Sequence, residues 1–509
     1  MESRDLQRYL FKLVFMFQML LLSQFSPPNE CRAVGTPFFF EKDVLLGTKD
    51  SWQEVQLEAP DRPQSTHSPG DKLTLEGAIN RALRANRGLA NTLDQVESAR
   101  LTIVSAEAEF ELKIFPGAEV GITGAGGEDT DDRIGLGVSL QKRFPVGTDL
   151  SIRPLVQKTG DIYETRIDTS LTQPLLQGFG REFNLSGVYG AEFGARSARR
   201  GLYLTQVNTV LATIGFVYDV IRQRELVRLN EESAVRLRVH AEAARAKEKI
   251  GLATQIDTYR AGIQQKQAED NLNTAIEAYR AALDNLKVLL ALPLEEALEV
   301  EAPLEYSLVR LDEAEAVKSA LRNRVELDQS ADTVREAKRL SRVAKQNTRP
   351  NLDLVFNYSR FDSGDTFGDS TGFDKDAWGV SVVTTTDLAR TAERVAFEQS
   401  LLSVNGARRN DSLQRDEVVR EVKRDIRNLR RSEKAIAIQE EQIRQSKGQL
   451  ELARVKFRWG LADNFDLIDA ETQLRTAQTN LLSAVLDYIV GSSRLRATLG
   501  TLIERPERF

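Results

Sequence analysis

Two proline-free blocks constrain this chain more than any other feature: no proline falls between Leu175 and Leu292, or between Asn351 and Arg505. A proline inside a helix costs about 3 kcal/mol, so both blocks are permitted to be long helices. Ala, Leu, Glu, Arg, Lys and Gln, the strong helix formers, dominate them. A single glycine-centred turn interrupts each block, IGLATQID around Gly251 and WGLADNFD around Gly460. Each block therefore reads as a helical hairpin. The arms leading into the turns, about 181 to 250 and 390 to 459, would each measure roughly 100 Å at 1.5 Å per residue. Helices of that length bury their apolar stripes by packing side by side, as in coiled coils or helical barrels.

The two blocks are related. Shifted by 209 residues without a gap, Gly251, Leu252, Ala253, Asp257, Ala261, Gln264, Ala268, Leu272, Tyr279, Leu286 and Leu290 meet Gly460, Leu461, Ala462, Asp466, Ala470, Gln473, Ala477, Leu481, Tyr488, Leu495 and Leu499. A weaker match pairs ALRANRGL from Ala82 with ALRNRVEL from Ala320. Each is expected to open an amphipathic helix that ends near a proline, Pro116 or Pro350. This is an internal twofold repeat, with a first unit over 71–303 and a second over 304–503.

Between the helices of each unit lies a strand-like insert, 116–176 in the first and 351–386 in the second. The first contains GAEVGIT, RIGLGVSLQKRF, DLSIRPLVQK and ETRIDTSLTQPLL, separated by Gly/Asp-rich or PVGT turns; the second contains NLDLVFNYSRF and WGVSVVTTT. Ile134, Leu136, Val138 and Leu140 alternate with smaller or polar residues, as do Ile167, Thr169 and Leu171, giving one apolar and one polar face. Segments of about 10 residues with that alternation suit tilted membrane strands. They equally suit a soluble antiparallel sheet capping a helical bundle.

The N-terminus decides which compartment the chain is expected to reach. Arg4, Arg8 and Lys12 precede the apolar run Leu13 to Leu22 and then a polar stretch, the layout of a signal peptide over 1–33 with cleavage after Ala33. The only cysteine, Cys31, follows Asn29 and Glu30, where a lipoprotein signal would carry small residues. Residues 34–70, with Pro37, Pro60, Pro63 and Pro69, read as a loosely ordered lead-in. No later stretch approaches the roughly 20 apolar residues of a membrane-spanning helix, so any further crossing is expected to be by strands. A net charge of −6 with both signs interspersed gives no basic footprint for nucleic acid, and two histidines leave little for zinc.

The twofold repeat, the strand inserts, QPLLQGFG at 173–180 and the glycine-centred turns followed by an aspartate together resemble the TolC-like outer-membrane efflux family, from about residue 71 to 503. The resemblance implies an α+β fold: long antiparallel helical hairpins forming a trimeric α-barrel tunnel across the periplasm, and strand inserts forming a shared outer-membrane β-barrel. It implies a homotrimer embedded in outer-membrane lipid, a periplasmic adaptor (membrane fusion) protein, an inner-membrane pump, no cofactor and no chemical change of the substrate. Drug efflux, metal efflux and type I protein secretion all stay open.

By the same resemblance, Gly251, Leu252, Ala253, Thr254 and Asp257, with Gly460, Leu461, Ala462 and Asp463, would sit at the periplasmic tip where adaptors dock. Thr254 with Asp257, and Asp463 with Asp466, also read as helix N-cap and third-position pairs. Asp466 and Asp469, three apart and so on one helix face, match positions that line the tunnel entrance as an acidic ring. Phe457 and Ala462 stand where the best-known member has a tyrosine and an arginine that latch the entrance, so that latch is not expected here. Gln173, Pro174, Leu175, Leu176 and Gly178 would form the strand-to-helix junction, and TTTDLAR at 384–390 departs from it in the second unit. Four strands per chain, or six, fit the inserts.

Two other functions compete. A soluble periplasmic helical scaffold or adaptor explains the helices and leaves the alternating strands without purpose. A hydrolase built on Asp466 and Asp469 lacks a glycine-rich pocket loop, an adjacent histidine and a ligand cluster, so the chain is not read as an enzyme.

Overall fold

The computed structural model describes residues 72–123, 131–251, 253–459, 461 and 464–506. The expected signal peptide and lead-in, Cys31, and the turn residues Leu252, Gly460, Ala462 and Asp463 lie outside the described residues. Those described belong to one compact unit, Ser65–Phe509.

Helices α1 (Leu75–Ala85) and α2 (Arg87–Glu107) lead into four strands, β1 (Leu112–Thr123), β2 (Asp131–Arg143), β3 (Asp149–Thr159) and β4 (Ile162–Pro174). The chain then enters α3 (Ser186–Lys249), turns at Gly251 and returns as α4 (Gln255–Leu289). Helices α5 (Glu313–Asn323) and α6 (Val325–Asn347) follow, then β5 (Asp353–Gly364) and β6 (Lys375–Val383), and finally α7 (Thr391–Arg458) and α8 (Asn464–Thr498). The long arms are continuous: α3 has 64 residues and α7 has 68, so each runs about 100 Å. Contrary to the expectation from sequence, α3 does contain a stretch long and apolar enough to cross a membrane by length and composition. Half of that stretch is buried by the rest of the chain, which is how a core helix passes the same test.

Two apolar cores hold the helices together away from the turns. In one, Val210, Ile214, Val217 and Ile221 of α3 meet Ala78 and Ala82 of α1, Leu286 of α4 and Leu486 of α8. In the other, Val418, Val422 and Ile426 of α7 meet Ala316 and Ala320 of α5 and Tyr488 and Leu495 of α8. The ALRANRGL and ALRNRVEL segments do open helices, at Arg87 and Val325, but each also carries the end of a preceding helix, so each spans a break. Asn86 and Arg324, with extended backbones, end one helix and start the next. The breaks satisfy orphan helix carbonyls: Asn86 Nδ2 donates to Leu289 O (3.0 Å) near the end of α4, and Arg324 Nη1 donates to Thr498 O (3.3 Å) at the end of α8.

The six strands form one antiparallel sheet in the order β1-β2-β3-β4-β5-β6. The first insert begins earlier than expected, at Leu112, because Pro116 lies inside β1, an outer strand where its missing N–H faces away from the ladder. Pro154 lies in the inner strand β3, and the β2–β3 register omits partners for it and Arg153 on the β2 side. The second insert ends at Val383, short of 386, because Thr384 Oγ1 donates to Asn351 O (2.6 Å) and Thr386 Oγ1 accepts from Asn351 N (2.9 Å), replacing ladder bonds.

Register fixes what each face of the sheet presents. Val120 pairs with Ile134, Leu136 with Val156, Pro154 with Ile167, Leu171 with Phe356, and Phe356 with Val380, so one apolar face runs across all six strands. The other face carries Arg133, which donates to Gln157 Oε1 (2.6 Å) and approaches Glu119 (4.0 Å), Arg166 beside Glu164 (3.1 Å), and Ser359 donating to Asp168 (2.6 Å). The apolar face is uncovered within one chain: Val120 is 80% exposed and Trp378 72%. Among the described residues, nothing pairs with the outer edge of β1 or of β6.

Candidate functional site

The first hairpin turn is built by a glycine and a capping box. Gly251 adopts φ +74, a left-handed conformation that favours glycine, and its amide donates to Glu248 O (2.9 Å), closing α3. Thr254 Oγ1 then accepts from the Asp257 amide (3.3 Å), while Asp257 Oδ2 accepts from the Thr254 amide (3.1 Å) and hydroxyl (2.7 Å). These bonds hold the Asp257 carboxyl below its ordinary value, the Thr254 hydroxyl contributing most. Caps of this kind stabilise a helix start by about 1 kcal/mol. Apolar side chains crowd both turns in the open: Ile250, Ile256 and Tyr259 on the first hairpin, Trp459, Leu461 and Phe465 on the second.

Asp466 and Asp469 stand on the first turns of α8. Asp466 is exposed, and Asp469 is half-buried and accepts from Gln473 Nε2 (2.6 Å). Between them Leu467 and Ile468 turn inward, Leu467 onto Leu450 and Ala453 of α7, Ile468 onto Leu237 of α3 and Ala268 of α4.

Sequence pattern did not single out an acid that several cations coordinate near the turns. Glu471, 6% exposed, lies on α8 among cations from two other helices. His240 Nε2 of α3 is 3.2 Å from its Oε1 and Arg454 of α7 is 3.4 Å from the same atom, while Arg236 Nε of α3 is 3.7 Å from Oε2. An ionised carboxylate only accepts, so the His240 tautomer that fits carries its proton on Nε2. Burial pushes the Glu471 carboxyl up, but His240, Arg236 and Arg454 outweigh burial and hold it below the usual value. A second bond between hairpins runs from Arg475 Nη1 to Asn230 Oδ1 (3.1 Å). Nearer the turns, Lys247 Nζ sits 3.6 Å from the centroid of the Phe457 ring, a cation–π contact between α3 and α7.

The QPLLQGFG segment is a knot of backbone bonds. Leu175 N donates to Leu352 O (2.8 Å) and Gly180 N to Val146 O (2.9 Å); Asn184 Nδ2 donates to Gly178 O (2.6 Å) and Gly180 O (2.9 Å); Gln173 accepts from the Thr148 hydroxyl. Pro174 and Leu176 frame Gly178, whose φ is +83. Gly147 of the PVGT turn presses against it: a Cβ there would lie 2.5 Å from Gly178 O. The buried Arg390, at φ +45, joins the knot from the start of α7 by donating to Asn347 O and to Gln177 Oε1 (3.3 Å). Among the described residues, no group of three or more His, Cys, Asp or Glu side chains could hold a metal ion.

Comparison with known proteins follows the same architecture. Residues 316–501 match the outer membrane efflux protein family. Outer membrane protein TolC of Vibrio cholerae serotype O1 is 24% identical over 334 residues, covering 62% of this chain and 73% of that protein. Two solved structures share the fold: the outer-membrane channel OprN, with a TM-score of 0.66 at 14% identity over 84% of this chain and 90% of that one, and CusC, with 0.65 at 13% over 84% and 92%.

Proposed function

We propose that this chain, a member of the TolC-like outer membrane efflux proteins, is one protomer of a channel that carries substrates across the outer membrane without changing them. One observation supports this reading most: an apolar face that register carries over six strands, exposed in the single chain, with both outer edges open. In lipid an unpaired edge is costly and closure removes it. Six strands cannot enclose a roomy pore alone, whereas three copies would supply about 18, within the range of bacterial barrels. The polar face, with Arg133, Arg166 and Asp168, then lines water.

In this reading the two successive runs of paired helices, strands and long hairpin are structural repeats, and the hairpins of three copies form a tapered tunnel across the periplasm. The turns at Gly251 and Gly460 lie at its tip, and the exposed Ile250, Tyr259, Trp459 and Phe465 beside them are what an adaptor would cover. An inner-membrane pump supplies the energy and selects the cargo, a small molecule, a metal or a secreted protein. Asp466 and Asp469, repeated in each copy, form an acidic mouth that attracts cations and is blocked by multivalent ones.

Single-channel conductance of the detergent-purified protein in a planar bilayer tests both claims. The wild type is expected to conduct and to be blocked by a trivalent cation added from the periplasmic side, with block lost in an Asp466→Ala/Asp469→Ala variant. Conductance indifferent to cation and substitution removes the acidic mouth but keeps the channel. Failure to insert, with solubility in detergent-free buffer, favours the periplasmic scaffold instead.

A further inference from the structure

The segment that joins α4 to α5 has one bonded edge and one open edge. Val300 and Glu301 pair in parallel with Leu73 and Thr74, and residues 302–312 then run on without a turn or bend. In an extended backbone the N–H and C=O of one residue point to the same edge and those of the next residue to the other. Odd-numbered residues here face the body of the molecule. Pro303 O accepts from the Tyr218 hydroxyl of α3 (3.0 Å), Ser307 O accepts from the Tyr488 hydroxyl of α8 (3.3 Å), and Val309 N donates to that same hydroxyl (2.9 Å). The even-numbered edge, made of the backbone groups of Leu304, Tyr306 and Leu308, meets no backbone partner among the described residues. Residues 303–308 are all exposed. Leu304 is 42% and Leu308 52% exposed, at the strand period on either side of Tyr306, whose ring lies 5.2 Å from that of Tyr488. The tyrosines thus hold a ready-made strand, with its free edge outward, before any partner arrives.

Charge selects the partner. Between Glu295 and Glu315 acids outnumber bases eight to one, Arg310 being the base. Lys72 reaches Glu299 (3.8 Å) and Glu301 (3.5 Å), and Lys423 reaches Glu313 (3.3 Å). Glu295, Glu296 and Glu305 have no ion pair among the described residues. A second copy would bring the same acidic edge, and like charges across a strand pair are unfavourable. We propose that this edge receives an extended segment of another protein, basic and alternately apolar, as an added strand. Its backbone pairs with Leu304, Tyr306 and Leu308, its lysine or arginine side chains meet the acids, and its apolar side chains cover Leu304 and Leu308. The site goes beyond the channel reading and is separate from the turns: α4, with 35 residues, puts it about 50 Å from Gly251.

The full chain in detergent, carrying Cys31→Ser and Ser307→Cys, tests the proposal without recourse to conductance. The introduced thiol is expected to react fully with a maleimide. A thiol that resists from the start is covered by this chain or by a copy of it, and overturns the proposal. A peptide of alternating lysine and valine should slow the reaction several-fold, and less so as salt is raised. A peptide of the same composition with lysines and valines in separate blocks should not slow it, nor should one of alternating glutamate and valine. Equal protection by all three peptides, or by none, overturns the proposal. Leu304→Pro removes a donor from the open edge, whereas Leu304→Ala keeps it. Added to the same background, the first should abolish protection by the alternating basic peptide and the second should lower it less. Equal protection in these two variants overturns the added strand independently.

Discussion

Single residues in this protein are held by partners far away in the chain, and Asp332 on α6 is the clearest structural case. It accepts from Arg335 one turn on and from the buried Arg200 of α3, with Arg196 Nε 3.8 Å away. Burial pushes the Asp332 carboxyl up, yet the bonds from Arg335 and Arg200 prevail and hold it below its ordinary value. Asp332→Asn leaves Arg200 without its counter-charge, and a buried pair broken from one side loses about 3 kcal/mol or more. A lower midpoint of thermal unfolding in detergent at neutral pH is the expected result. Because the folded carboxyl is more acidic than the unfolded one, its contribution is present above the unfolded value and disappears as pH falls through the folded one. The gap between wild type and variant should therefore hold from about pH 5 to 8 and narrow below about pH 4. A gap that widens in acid would contradict the assignment.

Among the elements, the sheet is where sequence pattern and structure agree in kind and differ in extent. Alternation marked Ile134 to Leu140 and Ile167 to Leu171 as two-faced, and register joins those stripes into one apolar face. Leu136→Arg puts a charge on that face, where near the middle of a bilayer it costs roughly 2 to 4 kcal/mol. The variant should reach the outer membrane in much lower yield, measured by membrane fractionation. Arg166→Leu, on the opposite face, should fractionate as wild type; equal loss in both would mean that neither face meets lipid. The helix breaks at Asn86 and Arg324 escaped the sequence reading because their flanks are good helix formers. What ends the helix there is a distant carbonyl, Leu289 O or Thr498 O, that needs a donor.

At the scale of the whole molecule, open strand edges and an exposed apolar face, among the described residues, both point to a chain that is incomplete alone. Light scattering of the detergent-solubilised protein, corrected for bound detergent, should give the mass of about three chains, each somewhat under the 57.0 kDa of the full sequence once residues 1–33 are removed, as closure of a six-stranded unit into a barrel requires. A monodisperse single chain that stays soluble without detergent would instead fit the scaffold.

The sequence by itself determined the long helices, their turns and the strand alternation. Each follows from chemistry among near neighbours: proline's missing N–H, the left-handed backbone of Gly251, the reciprocal bonds of Thr254 and Asp257, and a side-chain period of two. Only the tertiary structure decided that Glu471, and not the more conspicuous Asp466 and Asp469, is the acid gripped between hairpins, and that Arg390 completes the junction begun at Gln173. Glu471 and His240 stand 231 positions apart, and Arg390 and Gln177 stand 213 apart. A carboxylate among helix-forming residues reads as a solvated face until packing sets which side of the helix is covered and by what.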